Sequence, residues 1–180
     1  MTTGAIRADD PHHLVMGVRF VSWLIPVEVA QVAGEFLDVV SVNHYELSLD
    51  AQAIFDPTRD DLVDLSTGGM LEPVYDIARR PILITEFGFR AADSGLPNTV
   101  PPFYPTLATQ AERADRFEAY ARRCQAAPWI VGYHWFEYAD EPAAGRFDGE
   151  NDNWGLVNVA DDPYATLVAR TAAVNVPPAP

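Results

Sequence analysis

One cysteine, Cys124, in 180 residues excludes an internal disulfide. Basic residues are scarce as well: 12 Lys and Arg stand against 26 Asp and Glu, a formal net charge of -14. A surface of that sign repels nucleic acid and anionic membranes, so neither is expected as a partner, whereas a neutral ligand such as a sugar is compatible with it. The first ten residues lack the apolar core and cleavage pattern of a signal peptide. Leu14 to Gly34 is apolar on average but is broken by Arg19, Pro26 and Glu28, which argues against a membrane span. With neither feature on the chain, no compartment is assigned. No glycine-rich phosphate loop is present, Gly68-Gly69 reading only as a turn or helix start, and no Ser or Cys nucleophile motif occurs. His12-His13 follow the turn Asp10-Pro11 without a partner at metal-ligand spacing. Asp148, Glu150 and Asp152 alternate like a calcium loop, but Asn153 stands where that loop needs Gly and Val159 where it needs Glu. Neither a metal nor a cofactor is expected.

About half of the residues are apolar, which predicts a globular chain with a core. Four short apolar runs read as strands: Leu14 to Arg19, Val39 to Asn43, Ile82 to Glu86 and Ile130 to Trp135. Their near-continuous hydrophobicity suits parallel strands covered on both faces. Helical patterns separate them. Pro26 to Leu37 places Val29, Val32, Ala33 and Phe36 on one side. Met70 to Ala78 is shorter and contains Pro73. Thr109 to Gln125 starts with a capping Thr and Glu112 three residues on, and it groups Phe117, Tyr120, Ala121 and Cys124 on one face, where Cys124 reads as a small buried hydrophobe. Asp162 to Val174 reads as a last helix. The alternation predicts α/β architecture built from right-handed parallel βα units. No repeat and no internal boundary is visible, so residues 1–175 are expected as one domain with a frayed, Pro-rich tail at 176–180. The connections Ala91 to Leu107 and Phe136 to Asp161 are long enough to suggest function.

Glu86 is the most informative residue. It closes the run Pro81-Ile82-Leu83-Ile84-Thr85, and an ionised carboxylate beside a buried strand is costly unless something pairs or uses it. The C-terminal ends of parallel strands are where barrels and open α/β sheets hold their chemistry. The other strand ends offer Asn43-His44-Tyr45-Glu46 and His134-Trp135-Phe136-Glu137-Tyr138. A carboxylate, a phenol and an indole gathered at one rim suit a sugar ring, which presents apolar C–H faces between hydroxyls. The bland alternative for Glu86 is a structural ion pair with an arginine such as Arg90.

These motifs resemble strands 6, 7 and 8 of the retaining (β/α)8-barrel glycoside hydrolases, the clan that includes β-galactosidases, mannanases, cellulases and agarases. Val42-Asn43-His44-Tyr45, Thr85-Glu86-Phe87-Gly88 and Gly132-Tyr133-His134-Trp135-Phe136 carry the likeness. Agarase-like members are the closest match. There, Asp10-Pro11-His12-His13-Leu14-Val15-Met16-Gly17-Val18-Arg19-Phe20 is similar to strand 5. Tyr138-Ala139-Asp140 and Asp148-Gly149-Glu150-Asn151 are similar to the region after strand 8. The resemblance implies strands 5 to 8 of a TIM barrel, that is, a half barrel. It implies Glu86 as the nucleophile and Tyr45 as the residue orienting it. Trp135 would be the sugar floor, Asn43 and His44 sugar contacts or braces of Tyr45, and Asp140, Arg146 and Glu150 sugar contacts or loop braces.

Retaining hydrolysis also needs an acid/base carboxyl about 5–5.5 Å from the nucleophile. In the resembled clan this is a Glu after Asn at the end of strand 4, and no such pair precedes the first strand here. A whole barrel needs about 250 residues. Glu46 and Glu137 are the strand-end carboxyls that could substitute. The expectation is therefore part of a glycoside hydrolase for a β-linked, galactan- or agarose-like polysaccharide, inactive as an isolated chain. The missing half would be supplied by another segment or by self-association. The alternative is a non-catalytic carbohydrate-binding or assembly half barrel.

Overall fold

A computed structural model of the chain describes residues 2–21, 24–46, 62–64 and 71–176. Trp23, the Gly68-Gly69 turn, Met70 and the tail beyond Val176 lie outside them. In chain order the elements are α1 (Thr2–Asp9), β1 (Arg19–Phe20), β2 (Leu24–Pro26), α2 (Val27–Phe36), β3 (Val40–Asn43), β4 (Leu62–Asp64), α3 (Glu72–Ala78), β5 (Ile82–Phe87), β6 (Arg90–Ala91), β7 (Thr106–Leu107), α4 (Gln110–Ala126), β8 (Ile130–Trp135) and α5 (Ala165–Val174). The chain forms two compact units, Met1–Phe87 with Ala127–His134, and Gly88–Ala126 with Trp135–Pro180.

The first unit is organised by a four-stranded sheet in the order β1-β3-β5-β8. β3 runs parallel to both β1 and β5, so the expected parallel βα arrangement is present. Val40, Val42, Ile82 and Ile84 are fully buried, and Ser41 is buried between the two valines. That covers β3 on both faces, as its unbroken apolar run requires. β8 is covered less completely, and Val131 is exposed.

The first expected strand is shorter than its apolar run. Only Arg19–Phe20 pairs in the ladder, while Leu14, Met16 and Val18 are exposed. Two local causes stop the pairing. Gly17 adopts φ +65°, outside the extended region. Val15 spends its backbone on Asp38: its N–H donates to Asp38 Oδ2 at 2.8 Å, and its carbonyl accepts from the Asp38 N–H at 2.8 Å. That backbone bond, joined by Arg7, holds the Asp38 carboxyl below its usual pKa.

The inward face of α2 also differs from the expected one. Ala30 and Ala33 are buried, while Val29, Val32 and Phe36 are exposed. The helix turns its small residues inward because α3 approaches closely. A Cβ on Gly34 would lie 2.2 Å from the Ala78 carbonyl oxygen. Arg80 Nε donates to the Gly34 carbonyl at 2.8 Å and ties the crossing. A large side chain on the inner face would have to push the helices apart.

In the second unit, α4 packs on α5. Phe117, Tyr120, Ala121 and Cys124 are buried on one face of α4, as its periodicity predicts. Burial pushes the Cys124 thiol up to about 12, so it stays protonated and inert. The two long connections are stitched together by asparagines. Asn98 Oδ1 accepts from the Asn153 N–H at 2.8 Å, Asn151 Oδ1 accepts from the Thr99 N–H at 3.0 Å, and Asn153 Oδ1 accepts from Gln110 Nε2 at 2.8 Å. Backbone that would otherwise be costly to bury is satisfied this way.

Candidate active site

Glu86 lies on β5, one residue before its C-terminal end. Among the described residues, three side chains donate to it. Asn43, the last residue of β3, donates from Nδ2 to Oε2 at 2.6 Å. Tyr45, two residues further on and buried, donates from its hydroxyl to the same oxygen at 3.2 Å. Arg19 of β1 donates from Nη1 to Oε1 at 2.6 Å. Below the carboxylate, the buried His44 donates its backbone N–H to the Glu86 carbonyl at 2.9 Å. A strand-end carboxylate with donors on both oxygens is held in one orientation. Such a group can attack an electrophilic carbon at its exposed lone pair.

Arg19 is the member that sequence reasoning did not assign. Its signal was visible: it is the one charge interrupting an apolar run at a strand position, the same anomaly that singled out Glu86. The ion pair suggested as the bland alternative for Glu86 is built from other residues. Arg90 lies 2.8 Å from Asp152, and Glu86 pairs with Arg19.

The remaining expected site residues belong to the second unit. Trp135, at the end of β8, donates its indole N–H to the Trp154 carbonyl at 2.9 Å. Its ring meets Phe89 and Phe117 at centroid distances of 6.1 and 5.8 Å, and the Arg113 guanidinium lies 5.3 Å from its centre. Arg113 is fully buried and donates to the carbonyls of Phe89 at 2.6 Å and Gly155 at 3.0 Å. Burial pulls it down to about 10, against the pull of Asp140, Tyr164 and Asp93, so it remains a cation at neutral pH.

Asp140 is buried. It accepts from Asn153 Nδ2 and from the Gly155 N–H, each at 2.8 Å, and from the Tyr164 hydroxyl. These contacts brace the loop. Burial raises the Tyr164 pKa, and the hydrogen bond to Asp140 adds to it. Arg146 gathers three carboxylates: Glu141 at 2.9 Å, Asp148 at 2.8 Å and Glu150 at 2.8 Å. Burial pushes Glu150 up to about 7, helped by its hydrogen bond to Glu141, and Glu141 is raised by burial as well. The Arg146–Asp148 bond holds Asp148 below its usual range. Arg146 and Glu150 are thus engaged with each other, inside a turn closed by the Arg146 N–H on the Glu150 carbonyl at 2.9 Å.

Among the described residues, no group of three or more His, Cys, Asp or Glu is placed to hold a metal ion. His13 pairs with Asp10 at 2.8 Å on the surface. No described helix is long and apolar enough to cross a membrane.

The parallel βα sheet carries a braced carboxylate at a strand end, and comparison with known proteins agrees with the class that the sequence motifs resemble. The chain is similar to part of the glycoside hydrolases. More particularly, it is homologous to a stretch of the β-agarases. It is 34% identical to β-agarase B of Vibrio sp. (strain JT0107) over 169 residues, 92% of this chain and 15% of that protein. It is 34% identical to β-agarase A of the same organism over 172 residues, 95% of this chain and 16% of that protein. The chain therefore spans about a sixth of the length of these relatives. Among solved structures, the agarase AgWH50C superposes with a TM-score of 0.76 at 33% identity, over 96% of this chain and 24% of that one. An exo-β-agarase gives 0.74 at 33% identity, over 96% and 20%. A β-glucuronidase of Dictyoglomus thermophilum, at 17% identity and a TM-score of 0.59, shares the fold alone. No family model matches the chain.

Proposed function

We propose that this chain carries the nucleophile-bearing part of a retaining glycosidase site for a β-linked, galactan-like polysaccharide such as agarose. Glu86 is the nucleophile, and the observation that carries the assignment is its fixation by Asn43, Tyr45 and Arg19 at the C-terminal side of a parallel sheet. Glu86 attacks the anomeric carbon, the glycosidic bond breaks, and a glycosyl ester forms that water then hydrolyses. Tyr45 and Asn43 hold Oε2 and leave the carboxylate facing the sugar. Trp135 is proposed as an apolar sugar contact, with His44 bracing the strand end.

The acid/base that protonates the leaving oxygen is proposed to come from chain upstream of this segment, as the agarase likeness implies. The acidic surface fits a neutral glycan better than a charged one.

The test compares the 180-residue chain with a protein extended upstream by four further βα units, on agarose oligosaccharides. The extended protein is expected to release sugar and the short chain to be inactive, with Glu86→Gln abolishing turnover. Turnover by the short chain that disappears in Glu86→Gln would show that no further carboxyl is needed. Full activity of the extended Glu86→Gln protein would remove Glu86 from the mechanism.

A further inference from the structure

We infer that Arg19 is a positioning residue for Glu86, pinning the carboxylate oxygen that the other described donors leave unfixed. The inference rests on the reading of Glu86 as nucleophile. Among the described residues, the two other side-chain donors, Asn43 and Tyr45, both act on Oε2. The terminal torsion of a glutamate is broad, so two donors at one oxygen leave the carboxylate plane free to pivot about it. Arg19 at 2.6 Å from Oε1 removes that freedom.

The sheet explains how it reaches. Arg19 pairs with Ser41 on β3, two residues before Asn43, which pairs with Glu86. Two residues of parallel strand are about 7 Å, close to the length of an extended arginine stem. The side chain therefore runs along the sheet across β3 to the strand ends. The guanidinium is about half exposed, at 48%, and the Glu86 side chain is 19% exposed. A pair so near water adds little to stability. Its value is orientation, because a nucleophile turned out of line loses rate steeply.

The test uses the chain as it is. The probe is a dinitrophenyl β-galactoside with fluorine in place of the hydroxyl beside the anomeric carbon. Its leaving group needs no protonation, so the reaction does not depend on an acid/base from elsewhere. One Glu86 oxygen bonds to the anomeric carbon, the bond from that carbon to the phenolic oxygen breaks, and dinitrophenolate leaves with the electron pair. Intact-mass and peptide mass spectrometry read the ester on Glu86.

Arg19→Met is expected to slow labelling by about 100-fold while the melting temperature stays near that of the unchanged protein. Arg19→Lys should recover part of the rate, since lysine supplies the charge without the planar fork. Added guanidinium should accelerate Arg19→Ala. If Arg19→Met, or Arg19→Gln where the former does not fold, labels Glu86 at the unchanged rate, the role of Arg19 is overturned and the nucleophile stands. If the unchanged protein is not labelled even when extended upstream by four further βα units, the nucleophile reading falls. The carboxyl carbon resonance of Glu86 then decides for Arg19: a displaced signal in Arg19→Met supports positioning, and an unmoved one overturns it.

Discussion

Asn43 stands opposite Glu86, not opposite Thr85. The parallel register of β3 and β5 runs Val40 with Ile82, Ser41 with Leu83 and Val42 with Ile84, then slips by one so that Asn43 meets Glu86. The slip brings amide and carboxylate within 2.6 Å. Thr85, the residue passed over, donates its hydroxyl to the Val42 carbonyl and to Asn43 Oδ1, each at 3.0 Å. With its oxygen held by Thr85, the Asn43 amide turns its NH2 toward Glu86. Irregularities of this kind often re-aim a side chain at a sheet's functional edge.

Thr85→Val keeps the shape of the side chain and removes the hydroxyl. The Asn43 amide then loses what fixes its orientation, and labelling of Glu86 by the fluorinated galactoside should slow by about tenfold, the equivalent of one ordinary hydrogen bond. Thr85→Ser should stay close to the unchanged rate. Equal rates for all three proteins would show that the amide orients itself without Thr85.

The Arg146 cluster should make the loop weaken as pH rises. Glu150 sits at about 7 and Glu141 is raised, both chiefly by burial, so the folded loop holds a proton that the unfolded chain releases near the usual glutamate value of 4.5. Asp152, raised to about 6 by burial, acts in the same sense. The folded state binds more protons across this window, so this contribution is full below 4.5 and is lost as pH climbs through about 7. Asp148 acts oppositely, and its contribution is lost only as pH falls through its lowered value. Hydrogen exchange of residues 141–152 should therefore be slower, after correction for intrinsic rates, at pH 5 than at pH 8. Glu150→Gln keeps a hydrogen-bonding group without the charge and should flatten the difference. A loop equally protected at both values in the unchanged protein would contradict the prediction.

Arg113→Leu should destabilise the second unit strongly. The substitution strands the buried carbonyls of Phe89 and Gly155, which now accept at 2.6 and 3.0 Å. Each unsatisfied buried group costs about 1–3 kcal/mol. Calorimetry should show the melting temperature falling well below that of Arg122→Leu, a surface control whose ion pair with Glu118 is solvent-accessible.

Gly34→Ala tests the crossing of α2 and α3. The new Cβ would meet the backbone of Ala78, which cannot turn aside as a side chain would. A loss of about 1–3 kcal/mol is expected, although alanine is the better helix former. Denaturant unfolding measures it, and a neutral or stabilising outcome would show that the helices move apart freely.

The apolar runs of β3, β5 and β8 lie close to their boundaries in the sequence because continuous burial leaves a continuous hydrophobic signal. α4 was equally legible from its cap and its 3.6-residue period. Leu14 to Arg19 misled for an identifiable reason. Hydrophobicity is the same whether a run pairs in a ladder or not, and the competing partner of Val15 was Asp38, 23 residues away. α2 misled similarly, since periodicity favours its large apolar residues while the close helix contact selects alanines and glycine. Glu86, Asn43 and Tyr45 could be found as strand-end residues. Arg19 could not be joined to them, because its contact with Glu86 spans 67 positions and an intervening strand.

By itself the sequence determined the parallel βα class, the glycosidase likeness and the position of the carboxylate, all of which follow from local composition and order. Only the tertiary structure decided which groups hold that carboxylate, and that Arg146 and Glu150 bind one another. Those pairings depend on register and chain crossing, through which a one-residue slip between β3 and β5 places an amide against Glu86.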